Sequence, residues 1–93
     1  MIFQWIRNKK PKSVFLKKRA NENMLIVCSK ELNIYYLNQT AAFLLNSSNG
    51  VNSIDDIKRD MLAKYEVEEG ELENDLVDTF RDLQWKNLIV MEE

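Results

Sequence analysis

The feature that most restricts the fold is the stretch 35-YYLNQTAAFLLNSSNG-50, where a strand pattern changes to a helix pattern without a spacer. The aromatic and aliphatic residues Tyr35 to Leu37 are typical of a strand, whereas the small and aliphatic residues that follow Thr40 favour a helix. Neither glycine nor proline marks the change. Asn38 alone can end the strand and begin the helix, because its side-chain oxygen can accept a hydrogen bond from a backbone N–H about two or three residues on. We therefore expect a domain in which a strand runs directly into a helix.

Three short antiparallel strands are predicted around this point, over residues 14–19, 24–28 and 34–37. The middle segment, MLIVC, is a short apolar run rich in β-branched residues. The third strand is expected at an edge of the sheet. Asn33 suits a left-handed backbone position that closes the turn before this third strand.

Two more helices and a closing strand are predicted after the first helix. Ser53 and Asp56 approximate a capping box, which starts the second helix. The third helix begins near Glu69, and Asn87 ends it in the left-handed conformation before a short strand over residues 88–91. The expected fold is therefore α+β, with three strands, three helices and a strand in an order that resembles a winged helix-turn-helix.

Residues 1–12 look like an arm, both basic and apolar, attached to a domain of residues 13–93. Pro11 and the lysines around it make a poor interior for a helix or a strand. The apolar start MIFQWI most simply packs on the domain or on a neighbouring molecule. The alternatives are an anchor on a membrane surface and an adaptor arm that docks on a partner protein. Exchange of the arm between two copies would give a homodimer.

The composition argues against catalysis. The chain has no histidine and a single cysteine, Cys28, so it offers no Cys/His pair for a metal. Its two glycines lie far apart and form no phosphate-binding loop. We expect no enzyme activity, no cofactor and no metal. No apolar run reaches the ~18 residues of a membrane helix, and no secretory signal is evident, so a cytoplasmic protein is expected.

The net charge of −2 is unevenly distributed. Residues 1–23 carry seven basic side chains and one acidic one, whereas residues 66–82 carry eight acidic side chains and one basic one. In a DNA-binding winged helix, residues 69–86 would enter the major groove, but this helix has six acids and two bases and would be repelled by phosphate. We therefore expect no nucleic acid as partner, and a DNA-binding regulator is the alternative to a peptide-binding role.

The run IYYLNQTAAFLL, then Gly50, then SIDDIKRDMLAKYEVEEGELENDLVDTFRDLQWKNLI, resembles the PqqD-like family, the RiPP recognition elements. RiPPs are ribosomally made and post-translationally modified peptides. The resemblance covers roughly residues 14–91. The matching residues are Tyr35, Tyr36, Leu37, Asn38, Tyr65, Val67, Leu72, Asp75, Leu83, Leu88 and Ile89. Asn33 and Asn87 stand where the family commonly has glycine, and the arm lies outside the pattern.

The resemblance implies a non-catalytic peptide-binding module. It would capture the leader segment of a precursor peptide as an added strand beside the third strand, against the third helix, and present it to a separate modifying enzyme. An edge strand makes such a site physically available, because its unpaired N–H and C=O groups can pair with an extended peptide. The acidic third helix would favour a basic leader. The residues expected at the site are Asn33, Ile34, Tyr35, Tyr36, Leu37, Leu72, Asp75, Leu76, Thr79 and Phe80.

Several of these residues also fit the core of the domain. Tyr35 and Tyr36 point to opposite faces of the strand, so one belongs to the core and the other to the groove or solvent. Leu76 and Phe80 fit the core better than the groove. Asp75 could line the groove, or it could cap or pair inside the domain.

Overall fold

A computed structural model describes residues 2–22 and 24–92, without the side chain of Ile2. The helices are α1 (Ile2–Ile6), α2 (Gln39–Ser47), α3 (Ile54–Lys64) and α4 (Glu69–Trp85), and the strands are β1 (Lys10–Ser13), β2 (Lys17–Asn21), β3 (Met24–Cys28), β4 (Ile34–Leu37) and β5 (Ile89–Glu92). One apolar core contains buried side chains from all four helices and from β3, β4 and β5, whereas every residue of β2 is exposed.

The predicted caps of α2 and α3 are confirmed. The side-chain oxygen of Asn38 accepts a hydrogen bond from the backbone N–H of Ala41 at 2.9 Å. At the start of α3, the Ser53 N–H donates to the Asp56 carboxylate at 3.0 Å, and the Asp56 N–H donates to the Ser53 hydroxyl at 3.1 Å. The backbone and side-chain hydrogen bonds from Ser53 lower the pKa of Asp56 below its usual value.

Helix α4 begins at Glu69, as predicted, and Glu68 is its cap. The Glu68 carboxylate accepts hydrogen bonds from the backbone N–H groups of Gly70 and Glu71 at 2.9 and 2.8 Å. These two bonds lower the pKa of Glu68. The end of the helix also follows the prediction, since Asn87 has a left-handed φ of 58° just before β5.

The three-stranded antiparallel sheet is confirmed, with the strand order β2-β3-β4. Lys17 lies opposite Cys28, and Cys28 lies opposite Ile34 on its other side. The first strand begins at Lys17 rather than at residue 14. Val14 instead donates its N–H to the Leu88 carbonyl at 2.8 Å, so it continues the pairing of β1 with the end of the chain.

The turn before β4 differs from the prediction by one residue. Its left-handed residue is Leu32, with a φ of 69°, and not Asn33. Leu32 donates its N–H to the Ser29 carbonyl, and Ser29 donates its N–H to the Asn33 carbonyl, both at 2.9 Å. These two bonds set the length of the turn and place its bulge at Leu32. A leucine in this conformation costs about 1–2 kcal/mol, a cost that asparagine or glycine largely avoids.

The N-terminal segment packs on the domain. Helix α1 contacts α4, and the Phe3 side chain is only 2% exposed within the core. Trp5, on the same helix, is 82% exposed. Of the interpretations given to MIFQWI, packing on the domain is the one that the structure shows for Phe3 and Ile6, and Met1 lies outside the described residues. The division of the chain at residue 12 stays a prediction.

The expectation that Pro11 is unsuited to a strand was wrong. Strand β1 pairs with β5 in an antiparallel ribbon, and buried Pro11 lies opposite Met91. The Pro11 carbonyl accepts a hydrogen bond from Gly50 at 2.9 Å, so the main chain of Pro11 points away from β5. Since hydrogen-bonding residues alternate along an antiparallel strand, the missing N–H of Pro11 falls where the ladder to β5 needs no donor.

An ion cluster joins the N-terminal segment to α3 and α4. The Lys58 side chain is 7% exposed, and its Nζ lies 3.0 Å from carboxylate oxygens of both Glu69 and Glu73. The same ammonium lies 5.0 Å from the centroid of the Phe3 ring. Burial acts to lower the pKa of Lys58, but the hydrogen bonds to Glu69 and Glu73 outweigh it and raise this pKa above its usual value.

The predicted α+β class, with a three-stranded sheet and three helices after it, is therefore confirmed. The element order differs from the prediction because α1 and β1 precede the sheet and because β5 pairs with β1. A winged-helix arrangement stays a prediction.

Candidate functional site

Strand β4 has an open outer margin. Its inner side pairs with β3, and no strand in residues 2–22 and 24–92 pairs with its other side. The hydrogen bond between Ser29 and Asn33 continues the β3–β4 register, so the alternation directs the main chain of Tyr35 and Leu37 towards β3. The N–H and C=O groups of Ile34 and Tyr36 therefore point outward, where another extended chain can pair with them.

The side chains of β4 divide between two faces of the sheet. Tyr35 is half-buried and Leu37 is buried, whereas Ile34 and Tyr36 are 60% and 64% exposed. The Lys86 ammonium of the last turn of α4 lies 5.4 Å from the centroid of the Tyr35 ring. Tyr35 is therefore the tyrosine that belongs to the core side, and Tyr36 is the one that faces outward.

An acidic cleft lies between α4 and the start of α2, next to the end of β4. It has a volume of about 310 Å³, and Asn38, Thr40 and Ala41 form one wall. The other wall is α4, with Asp75, Asp78, Thr79 and Asp82. Asp82 pairs with Lys86 at 2.7 Å, but Asp75 and Asp78 form no ion pair with any residue that the structure describes. The cleft therefore has an excess of negative charge, which favours a cationic ligand.

An apolar pocket of about 200 Å³ adjoins this cleft between α2, α3 and α4. Its lining includes Phe43, Met61 and Leu72, together with Val67, which is 46% exposed. Thr40 and Asp75 line both the pocket and the cleft, so the two cavities are neighbours.

The structure brings some of the ten expected site residues together and places the others in the core. Ile34 and Tyr36 present the open margin, and Asp75 and Thr79 line the cleft. Asn33 is exposed at the start of β4. The remaining expected residues are Tyr35, half-buried, and the buried Leu37, Leu72, Leu76 and Phe80. Of these, Leu72 and Leu76 also line the apolar pocket.

The ten expected site residues leave out part of both cavities. Asp78 and Asp82 share the cleft with Asp75, and their spacing of three and four residues along a helix places all three on one face. That spacing could have identified them. The pocket residues Phe43 and Met61 come from different helices, so only the packing of α2 against α3 brings them together.

Two absences among the described residues bear on the kind of site. They contain no group of three or more Cys, His, Asp or Glu side chains that could hold a metal ion. Within residues 2–22 and 24–92, no helix combines the length and the apolar character needed to cross a bilayer.

Comparison with known proteins gives one family. The family model described as coenzyme PQQ synthesis protein D (PqqD) matches residues 24–89, from the start of β3 to the start of β5. This range is narrower than residues 14–91, over which the sequence resembles the family, and it leaves α1, β1 and β2 outside. No curated protein and no solved structure matches the chain.

Proposed function

The chain belongs to the PqqD family, the RiPP recognition elements, and we propose that it captures the leader segment of a ribosomally made precursor peptide by strand addition to β4. The match to the family model confirms the resemblance read from the sequence, and this family is one of non-catalytic accessory domains. The captured peptide is presented to a separate modifying enzyme. No finding favours the DNA-binding alternative.

The observation that carries this proposal is the difference between the two outer margins of the sheet. Strand β2 reads KKRAN, and its lysines and arginine discourage a further strand from pairing there. Strand β4 reads IYYL, which is uncharged and has outward-pointing main-chain groups at Ile34 and Tyr36. The β4 margin also lies beside the acidic cleft, so an added strand finds both main-chain partners and side-chain contacts there.

Proline at the open margin tests the site. Tyr36→Pro removes an outward N–H without breaking the ladder to β3, so the protein should fold and peptide binding should be lost. The probe is a displayed library of random short peptides selected on the immobilised protein, and enriched peptides are titrated by fluorescence polarisation. Ala20→Pro is the matched control, because the main chain of Ala20 points outward from β2, the opposite margin of the same sheet.

The expected result is at least a tenfold loss of affinity in Tyr36→Pro and unchanged affinity in Ala20→Pro, with both circular dichroism spectra like that of the wild type. Equal affinity in the wild type and a folded Tyr36→Pro variant would contradict strand addition at β4. A selection that enriches no peptide would contradict the peptide-binding role itself.

Charge in the cleft gives a second test. Asp75→Lys combined with Asp78→Lys should weaken binding of a basic enriched peptide about tenfold at low salt, or about 1.4 kcal/mol. Binding to the double variant should also depend less on salt concentration. Asp60→Lys with Glu92→Lys makes the same change of net charge away from the cleft and should leave the affinity nearly unchanged. Equal losses in both double variants would remove the electrostatic role of the cleft.

A further inference from the structure

The apolar pocket between α2, α3 and α4 is not explained by strand pairing. Phe43, Met61 and Leu72 line it, and an edge-to-face contact of 6.4 Å between the ring centroids of Phe43 and Tyr65 holds one side. Its volume is about 200 Å³. An apolar cavity of about 150 Å³ is enough to bind benzene, so this pocket can admit an aromatic or a large aliphatic side chain.

The position of the pocket relative to β4 defines where on a peptide such a side chain would lie. Helix α2 begins directly after Asn38, and its residues Thr40 and Phe43 line the pocket, which therefore lies past the C-terminal end of β4. Every strand pair in the described part of the sheet is antiparallel. A strand added antiparallel to β4 has its N-terminal end beside Leu37, and so its preceding residues approach the pocket.

Charge separates the pocket from the paired segment. Asp75 lies on the boundary between the pocket and the cleft, and Asp78 lies farther along α4 in the cleft. A peptide that runs from the pocket along the cleft thus meets an apolar surface first and two carboxylates next. Neither carboxylate is neutralised by an ion pair with a described residue, which favours lysine or arginine at this point.

We infer that the pocket binds one apolar side chain of the captured peptide, on the N-terminal side of its basic, strand-forming residues. The inference rests on the proposed function. It specifies the peptide class as an aromatic or large aliphatic anchor, followed by one or more basic residues opposite Asp75 and Asp78, followed by the segment that pairs with β4. The pocket supplies affinity by burying the anchor, and the order of the three parts fixes the direction of the peptide.

Filling the pocket tests the inference. Val67→Trp adds an indole to the half-exposed rim of the pocket and leaves β4 unchanged. Val51→Trp is the matched control, because Val51 is 71% exposed in a loop that does not line the pocket. Peptides enriched by the wild-type protein should bind Val67→Trp at least tenfold more weakly and Val51→Trp equally well. Replacing the anchor residue of such a peptide with alanine should weaken binding to the wild type by a similar factor.

Met61 provides a direct report from inside the pocket. In protein labelled with ¹³C on the methionine methyl groups, the Met61 resonance should shift when an enriched peptide is added, and it should not shift with the anchor-to-alanine peptide. Met91, which lies in β5, is an internal reference and should not respond.

The outcomes separate this inference from the proposed function. An unmoved Met61 resonance at saturation, or equal affinity of Val67→Trp and the wild type, would overturn the pocket assignment while strand addition stands. Enrichment of the apolar residue on the C-terminal side of the basic residues would overturn the proposed direction. Unchanged binding to Tyr36→Pro would overturn strand addition itself, whatever Met61 shows.

Discussion

Strands β5 and β4 are both short and partly apolar, but they differ in what pairs with them: β5 lies beside the N-terminal strand β1, and β4 lies beside β3 at an edge of the three-stranded sheet. Strand β5 is paired along its length by β1, from Lys10 opposite Glu92 to Ser13 opposite Ile89. Strand β1 is itself held on its other side by hydrogen bonds with residues 48–50. No described strand pairs with the outer side of β4. The N-terminal segment therefore pairs with one side of β5, whereas the outer side of β4 is left without a strand partner.

The two strands differ in their partners, although β2 and β5 also each have one side with which no described strand pairs. Before β1 in the chain, α1 places Phe3 in the core, and the Lys58 ammonium lies over its ring next to Glu69 and Glu73. Strand β4 has no such arrangement, although its exposed Ile34 and Tyr36 would be protected by one. Natural proteins usually protect uncharged edge strands, so the exception at β4 points to function.

The largest expected effect comes from breaking the covered margin. Phe3→Ala removes a side chain that is 2% exposed and should lower the free energy of unfolding by about 3–5 kcal/mol. Trp5→Ala, on the same helix but 82% exposed, should change it by less than about 0.5 kcal/mol. Urea denaturation followed by circular dichroism measures both. Similar small losses in the two variants would mean that α1 does not belong to the folded core.

Proline substitutions compare the two margins directly. In Val90→Pro, an N–H that faces Lys12 in the β1–β5 ladder is lost, and the free energy of unfolding should fall by about 2 kcal/mol. In Tyr36→Pro, the lost N–H faces outward from β4, and the fall should be less than about 1 kcal/mol. Urea denaturation of the two variants gives the comparison. A Tyr36→Pro variant as unstable as Val90→Pro would show that the margin of β4 is paired after all.

The smallest expected change in the free energy of unfolding comes from the turn residues that precede β4 and β5. Each is preceded by a left-handed residue, which is Asn87 before β5 and Leu32 before β4. Leu32→Gly should raise the free energy of unfolding by about 0.5–1 kcal/mol, because glycine adopts this conformation without strain. Asn87→Gly should change it by less than about 0.5 kcal/mol, because asparagine already tolerates it. Thermal unfolding would detect the difference, and an unchanged midpoint in Leu32→Gly would show that the turn is not strained.

Features fixed by a few neighbouring residues could be predicted from the sequence, and features fixed by distant contacts could not. The caps at Asn38 and Ser53 and the left-handed Asn87 depend on hydrogen bonds and backbone preferences within a few residues, and all three predictions are confirmed. The prediction for Pro11 was wrong because its strand forms by pairing with residues near the other end of the chain. Leu32 is an exception, because its turn is local and was still missed: the length of the turn, rather than residue preference, selects the left-handed position.

The candidate site divides in the same way. The edge position of β4 follows from the order of predicted strands, and Asp75 and Thr79 follow from helical spacing. The faces of Tyr35 and Tyr36 could not be assigned, because alternation along a strand does not say which side is buried. The apolar pocket was not expected, since its walls come from three helices whose packing is not written in any one segment.

Strand β4 runs into α2 without a loop, so the two ends of its open margin have different surroundings. At Asn38 the strand continues directly into the first turn of the helix, whereas the other end leads only to the exposed turn over residues 29–33. In the proposed complex, a precursor held antiparallel would leave the surface over that turn, at the end of β4 opposite to the start of α2. A modifying enzyme would then approach its substrate from that direction. The position of the bound segment on β4 would set the distance along the precursor to the residues that are modified.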